Sequence, residues 1–255
     1  MTLLANSFLR LPLAHRALHD MAAGRPENSR AAVRAAVDAG YGIEIDVQPS
    51  ADGVAMVFHD VTLERLTDET GPIRLRDAAT LGDIGLTGGN EGIPTLAEVL
   101  SDVDGKVPLL IEIKDQDGAL GENVGPLEAA VAKNLAGYTG AVAVMSFNPH
   151  SVAAMAEHAP AVPRGLTTSG FAAEHWPTLP ARIRKHLRAI PDLGRVGAQF
   201  ISHDARDLGA DRVAEIKAQG LPILCWTIRS PEAETQAREV ADNITFEGYR
   251  PSLPA

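Results

Sequence analysis

The chain has 255 residues, 45% of them hydrophobic and 22% charged, with a formal net charge of −10. This composition supports a sizeable buried core and excludes wholesale disorder, while the acidic balance argues against nucleic acid or an anionic membrane as partner, because both reward clustered Lys and Arg. The lone cysteine, Cys225, excludes an internal disulfide, no run approaches the roughly 18 apolar residues of a membrane span, and the opening Met-Thr-Leu-Leu-Ala-Asn-Ser lacks a basic start and a full apolar core, so a cytoplasmic protein is expected.

Short β-branched or Leu-rich runs alternate with segments of helical spacing, the rhythm of parallel strands joined by crossover helices. In chain order, strands are expected at 11–15, 42–47, 54–58, 108–113, 141–146, 163–167, 198–202, 222–227 and 243–246. Helices are expected at 29–39, 96–103, 126–136, 150–158, 211–219 and 231–240. Thr95 with Glu98 forms a capping box, Ser230 precedes a proline at a first helical position, and Gly40, Gly137 and Gly220 follow helix ends. The length fits one α/β domain over 1–255, a (β/α)8 TIM-type barrel, which commonly runs to about 250 residues.

Nine runs exceed eight staves. The link Pro49-Ser50-Ala51-Asp52-Gly53 is too short for a parallel crossover, so 42–47 and 54–58 should form a hairpin. With the turn centred on Ala51-Asp52 and Ser50 opposite Gly53, His59 falls across from Glu44. The glycine-rich stretch 60–94 has little periodicity and reads as an excursion between barrel elements.

Within Gly42-Ile43-Glu44-Ile45-Asp46-Val47, strand alternation sends Glu44 and Asp46 to one face and the aliphatic residues to the other. In a barrel the apolar face meets the helices, so the acids point inward near the mouth, where enzymes of this fold do their chemistry. Leu109-Leu110-Ile111-Glu112-Ile113-Lys114 repeats the pattern with Glu112 and Lys114. Three gathered carboxylates require protonation, cationic partners or a metal. An all-oxygen set suits one hard divalent cation, Mg²⁺ or Ca²⁺, and buried ion pairs with Arg or Lys are the competing explanation.

His15-Arg16 ends the first strand, and His59-Asp60 ends the hairpin's return strand. Phosphodiester cleavage needs a base, an acid and positive charge for the phosphoryl oxygens; two imidazoles, a cation and the planar fork of Arg16 supply these, with Lys114 adding a compact charge. The other histidines, His203 among them, read as structural. Trp226 packs either against a small polyol or in the core.

These residues resemble the glycerophosphodiester phosphodiesterase family, bacterial cytoplasmic type. The likeness runs through His15-Arg16, Arg25-Pro26-Glu27-Asn28-Ser29, the Glu44 strand, Asp52-Gly53, Val57-Phe58-His59-Asp60, Leu63-Glu64-Arg65-Leu66-Thr67, Ile93-Pro94-Thr95-Leu96, the Glu112 strand, Ser146-Phe147 and Trp226-Thr227-Ile228. The resemblance implies a barrel enzyme that binds a divalent metal through Glu44, Asp46 and Glu112. It further implies His15 and His59 as acid and base, Arg16 and Lys114 around phosphate, and glycerophosphodiesters as small-molecule substrates cut to glycerol phosphate and an alcohol. The chain departs from the family pattern at Ala17, where glycine is usual, and at Asp242-Asn243-Ile244-Thr245-Phe246-Glu247, which loosely echoes a closing Asp-Gly-Ile-Ile-Thr-Asp.

Three alternatives stand beside this reading. A phospholipase D-like or phosphoinositide-cleaving barrel shares the histidines and acids but must approach a bilayer, and no basic amphipathic helix or aromatic-rich loop is evident. A Schiff-base aldolase would use Lys114 as nucleophile. A non-catalytic phosphate-ester binding protein is the third.

Overall fold

The computed structural model describes residues 3–254. Nine strands form one sheet: β1 (Leu13–Ala14), β2 (Gly42–Pro49), β3 (Ala55–Val57), β4 (Leu109–Ile113), β5 (Val142–Ser146), β6 (Arg164–Thr168), β7 (Phe200–Asp204), β8 (Ile223–Ile228) and β9 (Asn243–Phe246). All but β3 are parallel to their neighbours, and pairing of β1 with both β2 and β9 closes an eight-stranded ring. This is a TIM barrel, with helices in the connections between strands and β3 bonded outside the ring.

Alternation sorts the barrel residues into two cores. Ile43, Ile45, Val47, Ile111, Val144, Ile201, Ile223 and Ile244 belong to the apolar layer shared with the helices. Leu13, Leu110, Met145, Phe200 and Leu224 fill the lower interior together with Phe8, from a short amino-terminal helix at Ser7–Arg10. Burying each large side chain contributes about 1.5–3 kcal/mol. Asn243 pins that helix beneath the barrel, its side-chain N–H groups donating to the carbonyls of Phe8 and Leu11, both at 2.7 Å. Gly165 keeps the interior open for Phe200, since a Cβ there would lie 2.4 Å from the ring.

The helices begin and end where the punctuation indicates. Ser29 accepts from the Ala32 N–H at the start of Arg30–Ala39, both halves of the Thr95–Glu98 capping box are present on Leu96–Val103, and Ser230 accepts from the Ala233 N–H. The last of these helices stops at Ala237 and gives way to turns, three residues short of the expected end at 240.

The hairpin register differs from expectation by one residue. Ser50 donates to the Val54 carbonyl at 2.9 Å, so the loop is the three residues Ala51-Asp52-Gly53, with Gly53 at φ +80° in the left-handed conformation that such loops require. Val47 therefore pairs with Val57, and His59 is not opposite Glu44. Because β3 ends at Val57, His59 leaves the ladder altogether and reaches the mouth from a bend.

The excursion after β3 holds a small core of its own. Met56 and Phe58, on one side of the return strand, join Leu63, Leu66, Ile73, Leu81, Ile84, Leu86 and Ile93, while Ala55 and Val57 on the other side join the main core. Among the described residues no helix is long and apolar enough to cross a membrane.

Candidate active site

The carboxyl ends of the strands open into a pocket of about 370 Å³ lined by His15, Arg16, Glu44, His59, Glu112, Lys114 and Trp226, among others. β2 and β4 are in register, with Asp46 beside Glu112. Glu44, Asp46 and Glu112 are all buried, and one carboxylate oxygen from each lies within 4.8 Å of the other two.

Cations hold only part of this charge. Lys114 lies 2.7 Å from Asp46 and 2.6 Å from Glu112, and Arg16 approaches Asp46 at 3.7 Å while bonding Glu27 at 2.7 Å. Asp46 also accepts from Asn28 at 2.9 Å. Glu44 has a backbone partner, the Arg16 N–H at 3.0 Å, and no side-chain ion pair among the described residues. Ion pairing thus accounts for Asp46 and Glu112, and Glu44 is left without a cationic side-chain partner among the described residues.

The proton affinities follow. Burial and the charges of Asp46 and Glu112 push Glu44 well above the ordinary carboxyl range. Burial acts the same way on Asp46, but Lys114, His59 and Arg16 outweigh it and hold that group low. Lys114 is drawn down by burial and held above an ordinary lysine by Asp46 and Glu112. These two close carboxylates favour its ammonium form, which works against the free amine that the aldolase reading needs.

Both mouth histidines are oriented by carboxylates that the sequence reading did not assign. His15 Nδ1 meets Glu247 at 2.7 Å, and His59 Nδ1 meets Asp60 at 2.6 Å. This leaves each Nε2 for the pocket that the rings line. Burial lowers His15 despite the Glu247 bond, which in turn draws Glu247 down to about 2. Arg65 bonds both Asp60 and Glu27, tying His59 to the partner of Arg16. The Arg-Pro-Glu-Asn and Leu-Glu-Arg motifs are therefore supports for the site.

Ala17 stands at φ +65°, a conformation glycine adopts freely and alanine does not, and its N–H donates to the Glu44 carbonyl at 2.9 Å. Its methyl is buried, which offsets part of the strain. Trp226 lines the pocket wall and donates to the Ser202 carbonyl at 3.0 Å. His203 is buried between Thr168 at 2.8 Å and Asp207 at 3.3 Å and does not line the pocket, whereas the next residue, Asp204, does. Alternation through Phe200-Ile201-Ser202-His203-Asp204 contained that signal.

The expectation of no basic helix or aromatic loop needs correction. Ala181–Arg188 carries Arg182, Arg184, Lys185 and Arg188, and the preceding loop carries Phe171 and Trp176. Arg184 donates to the carbonyls of Trp176 and Leu179, and Arg188 to those of Gly170 and Phe171, so two of the four cations fasten the loop.

Two cations, two histidines and three buried carboxylates thus gather at the mouth of a TIM barrel, and comparison with known proteins places the chain among the phosphoric diester hydrolases. The profile of the glycerophosphoryl diester phosphodiesterase family matches residues 15–243, and the chain belongs to that family. A glycerophosphodiester phosphodiesterase of Caldanaerobacter subterraneus subsp. tengcongensis is 32% identical over 231 residues, covering 86% of this chain and 87% of its own. A phosphodiesterase of Oleispira antarctica, solved in complex with the product sn-glycerol-3-phosphate, matches with a TM-score of 0.74 at 25% identity over 92% of this chain and 93% of that one. A glycerophosphodiester phosphodiesterase of Thermotoga maritima, 22% identical, shares the fold with a TM-score of 0.69 over 92% of both chains.

Proposed function

We propose that this phosphoric diester hydrolase cuts glycerophosphodiesters to glycerol phosphate and an alcohol, using a divalent metal and the two carboxylate-bound histidines. The observation that carries the reading is the unbalanced, buried Glu44 beside Asp46 and Glu112 in the pocket that both histidines line. A hard cation such as Mg²⁺ or Ca²⁺ fits, because all three donors are carboxylate oxygens and its charge would relieve the repulsion on Glu44. Bound there, it would supply Lewis-acid stabilisation to the phosphoryl oxygens.

The remaining work falls to the chain. Arg16 and Lys114 add charge around the phosphate, each already aligned by carboxylates. One of His15 and His59 takes a proton from the attacking oxygen and the other gives one to the departing alkoxide, both through Nε2. Trp226 offers an apolar wall to substrate carbon. A solitary thiol, with no internal disulfide to form, suits the reducing cytoplasm as its location.

Release of glycerol phosphate from glycerophosphodiesters by purified protein, abolished by chelator and restored by Mg²⁺ or Ca²⁺, is the expected result. Undiminished release after exhaustive chelation would overturn the metal assignment, and binding of the diester without release would favour a phosphate-ester binding protein.

A further inference from the structure

Beside the mouth pocket lies a second cavity of about 520 Å³, which shares Phe147, Asp204, Arg206 and Trp226 with it and extends to the loop over 169–176. The proposed chemistry makes no use of it. Phe147 is the hub of its aromatic wall, edge-on to Phe171, Trp176 and Trp226 at centroid separations of 6.2, 5.0 and 5.6 Å. Phe171 is buried, whereas Phe147, Trp176 and Trp226 keep part of their surface open.

The wall carries excess negative charge. Arg206 is bonded to Asp204 at 2.6 Å and attracts Glu174 at longer range, so this one arginine faces three carboxylates, Asp204, Glu174 and Asp207. Among the described residues the one ion-pair partner of Asp207 is His203, which burial makes a weaker base than an ordinary histidine, so that contact does not cancel the carboxylate near neutral pH. Aromatic faces with carboxylates nearby attract a cation through the ring quadrupoles, and an alkylated ammonium adds methyl groups that bury against the same rings.

A phosphodiester has two arms, and a diester seated in the mouth pocket can send one of them past Phe147 and Trp226. We infer that this side cavity is the subsite for the alcohol arm and that the alcohol it selects carries a quaternary or alkylated ammonium group. The inference rests on the phosphodiesterase reading of the adjoining pocket.

The test compares glycerophosphocholine with its neutral isostere, glycerophospho-3,3-dimethylbutanol, in which carbon replaces the ammonium nitrogen. Metal-loaded enzyme should favour the choline ester in kcat/KM by roughly 2- to 30-fold, the range cation–π contacts span. Trp176→Ala should bring that ratio close to one. Glu174→Gln, at a residue 78% exposed and therefore safe for folding, should lower the ratio by a smaller factor. Equal rates on the two esters in the unaltered enzyme, or a ratio that both variants leave unchanged, would overturn the subsite while leaving the hydrolase reading intact. Hydrolysis of neither ester would overturn the glycerophosphodiesterase reading and the subsite together.

Discussion

The two sides of the barrel mouth are built by different means. On the side of β1, β2 and β4 the charged groups stand on or directly after strands, backed by Asn28, Glu27, Arg65 and Glu247 through short hydrogen bonds. On the side of β5 to β8 the aromatic and acidic groups stand mainly on connections, held by Arg184 and Arg188 reaching backbone carbonyls. Strand-borne groups are placed to within fractions of an ångström, as bond-making requires, whereas loop-borne groups can vary without disturbing the barrel. On the proposed function, chemistry falls to the first side and choice of substrate to the second.

The comparison breaks most readily at the histidines. His15→Ala and His59→Ala should each lower kcat by about 10²–10⁴ on every diester, the scale of acid–base catalysis, with little change in metal affinity. A variant that retained near-normal turnover would take its histidine out of the mechanism, and a loss confined to one alcohol would place it on the substrate-selecting side.

Glu44 tests the same side more gently. Its raised pKa means that at low pH the carboxyl is protonated, and a metal must displace that proton to bind. Affinity should therefore fall as pH falls through the raised value, by up to about tenfold per unit, and Glu44→Gln should flatten this dependence. The variant should also weaken binding at neutral pH by at least roughly 10- to 100-fold, the penalty seen on losing even an outer partner of a ligand, with folding little affected because the amide removes an unbalanced charge. Titration calorimetry between pH 5 and 8 reads both effects. A flat affinity profile in the unaltered protein would contradict the ligand assignment.

What was legible in the residues follows the same division. Period-two alternation marked Glu44, Asp46 and Glu112 as inward-facing, and the strand–helix rhythm fixed the barrel, because both patterns are set by local backbone geometry. The hairpin register escaped by one residue: Asp52-Gly53 suits a two-residue turn and a three-residue turn alike, and only the Ser50–Val54 bond distinguishes them. The supports of the histidines escaped for a different reason. Glu247 lies 232 residues from His15, and nothing in a linear pattern announces a contact across a closing seam. The helix at Ala181–Arg188 buries only Leu187, so its apolar period was too thin to read, although it anchors the aromatic loop.

That helix allows the smallest and most discriminating perturbation. Arg188 lines neither the mouth pocket nor the side cavity, yet it donates to the carbonyls of Gly170 and Phe171, and Phe171 is in the aromatic cluster. Removing these bonds by Arg188→Ala forfeits about 0.5–1.5 kcal/mol of local order, enough to raise KM for the choline ester by roughly two- to tenfold. No hydrogen bond or ion pair joins Arg188 to Glu44, Glu112 or His15 among the described residues, so kcat and metal affinity should stay as they were. Steady-state kinetics on the choline ester and its neutral isostere separates the outcomes: a change in KM for the cationic substrate alone keeps the two sides independent. A drop in kcat on both substrates would instead show that the loop holds the reacting groups in place, and the division between chemistry and choice would have to be abandoned.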